Sequence, residues 1–196
     1  MTFKIEGSTI LITAGTSGLG LCVAQKLISL GANVVVNYAS NHVRARGVLQ
    51  KLFLQALAPH RTTECNIIQA DVTKRSEIER LVAETVEWSG GRLDAVVSNA
   101  GWTQFADFFN LDENVDEEVW DKCYAANVKS HLFLCHAAKK HLEEAKGAFV
   151  MTSSVAGVKP SGSSIVSLTG MKLVLGGWVN KWSGLLCYQG CSNPSS

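Results

Sequence analysis

Thr13-Ala14-Gly15-Thr16-Ser17-Gly18-Leu19-Gly20 follows an apolar run, Thr9 to Ile12, and leads into apolar residues at helical spacing, Leu21, Ala24, Leu27 and Ile28. A strand, a glycine turn and a helix start make a βα unit. Gly18 and Gly20 carry no side chain, so a pyrophosphate can come close to backbone N–H groups at the helix N-terminus, where the helix dipole favours negative charge. Alone, the same turn is equally an ordinary tight connection between strand and helix, and the remainder of the chain discriminates between the two.

Downstream, Gly31 stops the helix before a β-rich run, Asn33 to Tyr38. Val43, Leu49, Leu52, Phe53 and Leu57 mark a second helix that ends near Pro59, and a strand over Asn66 to Ala70 delivers Asp71 at its carboxyl end. Thr73 or Ser76 is expected to cap a third helix with the apolar face Ile78, Leu81, Val82 and Val86. Leu93 to Val97 is almost wholly apolar, as a strand covered on both faces must be, and it ends in Ser98-Asn99-Ala100-Gly101. A long helix over Val119 to Leu142 precedes a fifth strand, Ala148 to Met151, which runs into Thr152-Ser153-Ser154-Val155-Ala156-Gly157. Alternating strands and helices predict an α/β fold, a doubly wound parallel sheet with right-handed crossovers.

Composition narrows the function. The 196 residues, 46% hydrophobic and 18% charged, suffice for one globular core. A net charge of +1 with scattered Lys and Arg provides no basic face, so neither nucleic acid nor an anionic membrane is an expected partner. Met1-Thr2-Phe3-Lys4 opens directly into a strand and no transmembrane run follows, which gives a cytoplasmic expectation. Cys22, Cys65, Cys123, Cys135, Cys187 and Cys191 lie far apart without CxxC pairs, so reduced thiols are expected and a metal site is not.

The glycine turn, Asp71, Asn99-Ala100-Gly101 and Ser154 all fall at carboxyl ends of strands, where an open parallel sheet binds its ligand. In this order and together with Asn127 in Ala125-Ala126-Asn127-Val128, they resemble the short-chain dehydrogenase/reductase family over residues 5 to 165. The resemblance implies a Rossmann-type NAD(P)-binding domain over residues 1–165 and an oxidoreductase that interconverts a ketone and a secondary alcohol. It assigns the pyrophosphate to Gly15, Thr16, Ser17, Gly18, Leu19 and Gly20, the adenine to Asp71 and Val72, and the nicotinamide ribose to Asn99, Ala100 and Gly101. Ser154 becomes the residue that binds the substrate carbonyl or hydroxyl, and Asn127 the anchor of a water relay. Each has a plainer alternative: a helix-dipole carboxylate for Asp71, a turn for Asn99 and Gly101, a strand-end hydroxyl for Ser154, a buried helix amide for Asn127. Ala14 departs from the family, which opens its motif with glycine; a tighter turn that still binds is expected. Phe105, Phe108, Phe109 and Trp102 either line one substrate wall or pack over the sheet edge. The five histidines are expected at surface or packing positions. Family dimers pair the Val119 to Leu142 helix with the catalytic helix, so a homo-oligomer is implied, with an incomplete interface here.

Cofactor choice turns on the end of the second strand, where an NAD enzyme places an acid for the ribose 2′-hydroxyl. The expectation is that Asn37 occupies this position. Without a carboxylate to repel a 2′-phosphate, and with Tyr38, Ser40 and Asn41 as donors, NADP(H) is expected over NAD. Arg44 and Arg46 are the available cations.

The family also needs a tyrosine as general acid and base and a lysine that lowers its pKa, four residues apart. The family spacing of thirteen from Ser154 reaches Ser167, and four more reach Met171, so both are missing. From Val166 onward there is no acid and no continuing βα rhythm, so residues 166–196 form an atypical tail rather than a domain. Leu185 to Ser196 can be encoded so that a one-base shift reads Tyr-Ser-Val-Thr-Lys-Ala-Ala-Leu-Ile-His-Leu, the lost catalytic helix. Val166-Ser167 fits a splice donor and Ser183-Gly184 an acceptor. The tail is therefore expected to be translated intron followed by a frame-shifted exon, loosely packed, on a chain truncated before its last strands. Two readings stand: an NADP(H)-dependent oxidoreductase of doubtful activity acting on a small carbonyl or alcohol, or an inactive dinucleotide-binding pseudoenzyme or non-functional splice product.

Overall fold

A computed structural model describes residues 3–57, 63–107, 109–154 and 186–187. Strands β1 (Thr9–Ile12), β2 (Asn33–Tyr38), β3 (Cys65–Gln69), β4 (Ala95–Ser98) and β5 (Ala148–Met151) alternate with helices α1 (Gly18–Ser29), α2 (His42–Ala56), α3 (Arg75–Trp88), α4 (Glu117–Tyr124) and α5 (Ser130–Ala145). All strand pairs are parallel, and with β6 (Leu186–Cys187) the order is β3-β2-β1-β4-β5-β6. The winding reverses between β1 and β4, which opens a crevice beyond their carboxyl ends.

Strand parity builds two cores. Ile10, Ile12, Val34 and Val36 pack with Ala24 and Ile28 of α1 and Val48 and Leu52 of α2 on one face. Leu11, Val35, Val96 and Phe149 pack with Ile78, Leu81 and Val82 of α3 and Leu134, Ala138 and Leu142 of α5 on the other. Burial on both faces explains why β1 is inaccessible at every position, as a sandwiched parallel strand requires.

The structure corrects the cap expected for α3 and adds detail to three other expectations. The buried stripe of α2 is Ala45, Val48, Leu52 and Ala56, whereas Val43 is 85% exposed and Phe53 and Leu57 face outward. Alanines let the helix approach the sheet closely, so the larger apolar residues are displaced to the rim. The residue preceding α3 is Lys74, without a side-chain cap, rather than Thr73 or Ser76. Instead Glu77 reaches back to accept from the Asp71 N–H at 2.7 Å. The long helix is helical from Glu117 to Ala145 but passes through a π turn at Ala125–Lys129. Finally, Leu186 and Cys187 of the tail pair with Phe149 and Val150, so two tail residues join the sheet; β5 presents an open row of N–H and C=O groups that an extended segment satisfies. The remaining tail positions, Ser167 and Met171 among them, lie outside the described residues.

Candidate dinucleotide site

Thr13 links the two turns that flank the crevice. Its hydroxyl accepts from the N–H groups of Asn99 (2.9 Å) and Ala100 (3.0 Å), and its carbonyl accepts from Asn99 Nδ2 at 3.2 Å. The side chain is 1% exposed, so these bonds are shielded from water. Gly20 lies within this contact: a Cβ there would stand 2.7 Å from the Ala14 carbonyl oxygen and 2.8 Å from Asn99 Nδ2. Gly18 has φ +52° with open space around its missing side chain, and Gly15 abuts Val36. Ser17 precedes α1 in extended conformation without capping it, and the first turn carries no acid. The N-terminus of α1 thus keeps the positive end of its dipole, and the cradle fits a pyrophosphate. Ser17, Gly18 and Leu19 are exposed around it, whereas Thr16 is buried.

Ala14 takes the left-handed conformation, φ +51°. For alanine that costs roughly 1–2 kcal/mol, against about 0.5–1 kcal/mol by which glycine loosens the unfolded chain. Ala14→Gly is therefore expected to stabilise the protein by about 0.5–1 kcal/mol, measured as a higher midpoint of denaturation; an unchanged or lower midpoint would contradict it.

Asn37 requires a correction. It is 2% exposed, and its amide turns inward: Oδ1 accepts from Ala14 N at 3.3 Å, and Nδ2 donates to the carbonyls of Tyr38 (3.3 Å), Ile68 (3.3 Å) and Ala70 (3.0 Å). Its backbone carbonyl accepts from Gly15 N at 3.0 Å. Asn37 thus holds the glycine turn against β2 and β3 and is not free to meet a ribose or a phosphate. The side chains presented at this edge are those of Tyr38, Ser40, Asn41 and His42. Alternation along Val34-Val35-Val36-Asn37 does not show this, because β2 is buried on both faces and all four positions are inaccessible.

Asp71 and Val72 are half-buried beyond β3. Asp71 Oδ1 accepts from Thr73 N (3.0 Å) and Thr73 Oγ1 (2.7 Å), with Lys74 Nζ 3.8 Å from the other oxygen. Burial pushes this carboxyl up, but the two Thr73 bonds and the Lys74 ammonium outweigh it and hold it below the usual carboxylate range.

Beyond β4, Gly101 leaves room for Asn127, since a Cβ would stand 2.8 Å from Asn127 Oδ1. That oxygen accepts from Trp102 N at 3.1 Å, while Nδ2 donates to Trp102 O (2.6 Å) and Cys123 O (3.0 Å). At 1% exposure, the Asn127 amide fastens the start of the following loop to the π turn. Within that turn Ser130 N donates to Ala125 O, and the Ser130 hydroxyl covers the Ala126 carbonyl at 2.6 Å. π turns recur at functional sites because they re-aim backbone groups inside a helix. In the loop, Trp102 lies under the Lys122 ammonium, 4.1 Å from the ring centroid. Phe105 is 74% and Phe109 88% exposed, so neither packs over the sheet edge; Phe108 lies outside the described residues.

Thr152 seats the end of β5 on this turn, donating from N to Ser98 O (3.1 Å) and from Oγ1 to Asn99 Oδ1 (3.3 Å). Ser154, half-buried two residues further on, therefore belongs to the same edge. Residue spacing carries no sign of the pair beneath: Ser98 Oγ lies 2.5 Å from Nδ1 of His131, both about 2% exposed. His131 is thus a core histidine that ties α5 to the end of β4.

A reversed-winding parallel sheet with a glycine turn, Asp71, Asn99 and Ser154 along one edge defines a dinucleotide-binding protein of the Rossmann type. A family model described as short chain dehydrogenase matches residues 8–166, and the chain belongs to that family. A short-chain dehydrogenase/reductase of Pestalotiopsis microspora is 34% identical over 155 residues, 79% of this chain and 54% of the relative. A hydroxynaphthalene reductase-like protein of Metarhizium majus is 33% identical over 153 residues, 78% of this chain and 53% of the relative. The chain spans about half the length of these curated relatives. Among solved structures, an NADH-dependent reductase complexed with NAD matches with a TM-score of 0.79 at 27% identity, over 93% of this chain and 76% of its own. A short-chain dehydrogenase of Burkholderia cenocepacia in complex with NADP matches with a TM-score of 0.80 at 26% identity, over 91% and 68%. Among the described residues, no helix is long and apolar enough to cross a membrane, and Cys22, Cys65, Cys123 and Cys135 are free thiols.

Proposed function

We propose that residues 1–165 are the cofactor-binding domain of an NADP(H)-dependent oxidoreductase that interconverts a ketone and a secondary alcohol, and that the chain as written holds cofactor with little turnover. The carrying observation is the edge beyond β2, where Tyr38, Ser40, Asn41 and His42 supply hydroxyls, an amide and an imidazole but no carboxylate. Such a rim accepts a 2′-phosphate without repulsion. Gly15 to Gly20 and the α1 N-terminus would hold the pyrophosphate, Asp71 and Val72 the adenine, and Asn99 to Gly101 the nicotinamide ribose. The reduced nicotinamide, when bound, supplies a hydride to the carbonyl carbon. Ser154 would hold the carbonyl oxygen by a hydrogen bond, and Asn127 would steady the loop that covers the substrate. The proton for that oxygen is the missing part, since Ser167 and Met171 stand where the family spacing expects tyrosine and lysine.

A positioned general acid contributes roughly 10²- to 10⁴-fold. The chain is therefore expected to bind NADPH in preference to NADH and to reduce ketones at least about 10²-fold more slowly than a form in which Ile165 and one further residue are followed by Tyr-Ser-Val-Thr-Lys. Cofactor titration beside a turnover assay checks both statements. Equal affinity for the two cofactors would remove the NADP(H) assignment, and Ser154-dependent turnover in the present chain would identify another proton donor. Sequencing the transcript tests the origin of the tail, because bases under Leu185 to Ser196 that lack the second-frame reading would reject the intron.

A further inference from the structure

The charges of the chain nearly cancel, at +1 overall, but folding sorts them by layer. Helices α1 and α2, which cover one face of the sheet, carry Lys26, Arg44, Arg46 and Lys51 and no acid. On the opposite face α3 alone holds Glu77, Glu79, Glu84 and Glu87, and its Arg75 and Arg80 are taken up by Glu79 (2.9 Å) and Glu84 (2.8 Å). None of the four cations on α1 and α2 joins an ion pair among the described residues. Glu6 and Glu64 stand before β1 and β3, outside these helices, and Glu6 is paired with Lys4 at 3.4 Å. Cations that are scattered along the sequence thus form a basic face in the fold. The same face exposes large apolar side chains. Whereas α2 buries Ala45, Val48, Leu52 and Ala56, its opposite side, at about 3.6 residues per turn, is Val43, Gly47, Gln50, Leu54 and Leu57. Val43 is 85%, Leu54 64% and Leu57 61% exposed. Arg44 and Lys51 flank this crest on one side, and Arg46 and the exposed Phe53 on the other. An ordinary surface helix turns a polar side outward; here the outward side is an apolar crest between two rows of cations.

We propose that the outer side of α2 docks on an anionic lipid surface, with Val43, Phe53, Leu54 and Leu57 entering the headgroup layer and Arg44, Arg46 and Lys51 reaching lipid phosphates. Such a contact needs no spanning helix: an interfacial helix sinks its apolar side about 5–10 Å into the headgroup and acyl boundary and is held there by attraction to anionic lipid. The long stems of arginine and lysine let their charged heads stay at phosphate level while the crest between them enters. Lys26 adds to the same field, being next in the chain to Gln25, whose carbonyl accepts from Gln55 of α2 at 2.9 Å. Charge selects a lipid surface over a second copy of the chain, because two such faces would set Arg44, Arg46 and Lys51 against themselves. The exposed leucines select it over a wholly polar polyanion, which would leave the crest in water.

The test floats the full chain with vesicles of phosphatidylcholine alone and of phosphatidylcholine with about 30% phosphatidylserine, from about 0.05 M to about 0.5 M salt. The partition coefficient is expected to be about tenfold or more higher on the anionic vesicles at low salt, and to fall as salt rises. Joint replacement Arg44→Gln and Arg46→Gln should lose about tenfold on the anionic vesicles. Leu54→Ser should lose about tenfold at every salt concentration, since it removes apolar insertion rather than charge. Lys140→Gln, on α5 of the other layer, removes one exposed positive charge and is expected to bind as the parent does. Melting at the parent's temperature establishes that the variants are folded, as exposed positions allow, and the arginine and leucine variants report independently. Equal partition on the two kinds of vesicle would overturn the proposal, as would arginine and leucine variants that bind like the parent. Retention on immobilised polyglutamate without vesicle binding would assign the face to an acidic polypeptide, and a concentration-dependent dimer abolished by Leu54→Ser would assign it to a second copy; either result overturns the lipid surface.

Discussion

Replacing Gly20 with alanine is expected to destabilise the domain by about 2–3 kcal/mol, the upper part of the range for overpacking, and to weaken cofactor binding by more than about tenfold, equivalent to 1.4 kcal/mol. The added Cβ would stand 2.7 Å from the Ala14 carbonyl oxygen and 2.8 Å from the Asn99 amide nitrogen. The first is backbone, and the second is committed to Thr13 O, so neither withdraws cheaply. Relief requires α1 to move away from the turn after β4, which shifts the N–H groups that face a pyrophosphate. Gly18→Ala is the matched comparison. Its site is open but its φ is +52°, so it bears only the left-handed strain of roughly 1–2 kcal/mol. Denaturant midpoints and cofactor titrations of both variants check the contrast, and a Gly20→Ala protein as stable as Gly18→Ala would show that the close approach does not matter.

Asn37→Asp is expected to unfold the protein in large part rather than to exchange one cofactor for the other. The substitution places a carboxylate oxygen where Nδ2 now donates to three carbonyl oxygens, in a residue 2% exposed. Losing the donor and burying a charge among like partial charges costs about 3 kcal/mol or more. The sign of its pH dependence follows. Such a carboxyl has a folded pKa raised above the unfolded value near 3.9, so the penalty grows as pH rises from about 4 and is smallest in acid. Denaturant midpoints at about pH 4.5 and 8, on either side of that rise, should therefore differ in the variant by more than in the parent, with the variant relatively stronger in acid. A well-folded variant that binds NADH better than NADPH would instead return Asn37 to the ribose edge.

Both substitutions act on one assembly. Thr13, Ala14, Asn37 and Asn99 join the ends of β1, β2, β3 and β4 through buried and half-buried hydrogen bonds, and Gly20 lets α1 approach them. This layer of polar bonds lies beneath the crevice and fixes the relative positions of the strand ends. On the NADP(H) reading, discrimination would reside in the rim, where Ser40 is exposed and belongs to neither strand nor helix, so a change there is expected to alter which cofactor binds without altering the fold.

The order of strands and helices, the doubly wound sheet and the edge on which Gly15 to Gly20, Asp71, Asn99 and Ser154 gather were legible in the chain, because periodicity and strand-end motifs are local properties that topology rules then arrange. Local pattern could not choose the buried stripe of α2, since which of several apolar faces turns inward depends on how closely the helix approaches Val34 and Val36, and alanines win that contact over Phe53 and Leu57. Nor could it orient Asn37, whose inward amide is fixed by carbonyls of a neighbouring strand more than thirty residues away. The union of Ser98 with His131 and the fastening of Trp102 by Asn127 are likewise contacts between elements distant in sequence. The pairing of Leu186 and Cys187 with β5 arises because an open sheet edge accepts backbone, whatever side chains that backbone carries. Sequence thus determined which chemistry stands at the carboxyl edge, and tertiary packing decided which of those side chains face a ligand and which hold the edge together.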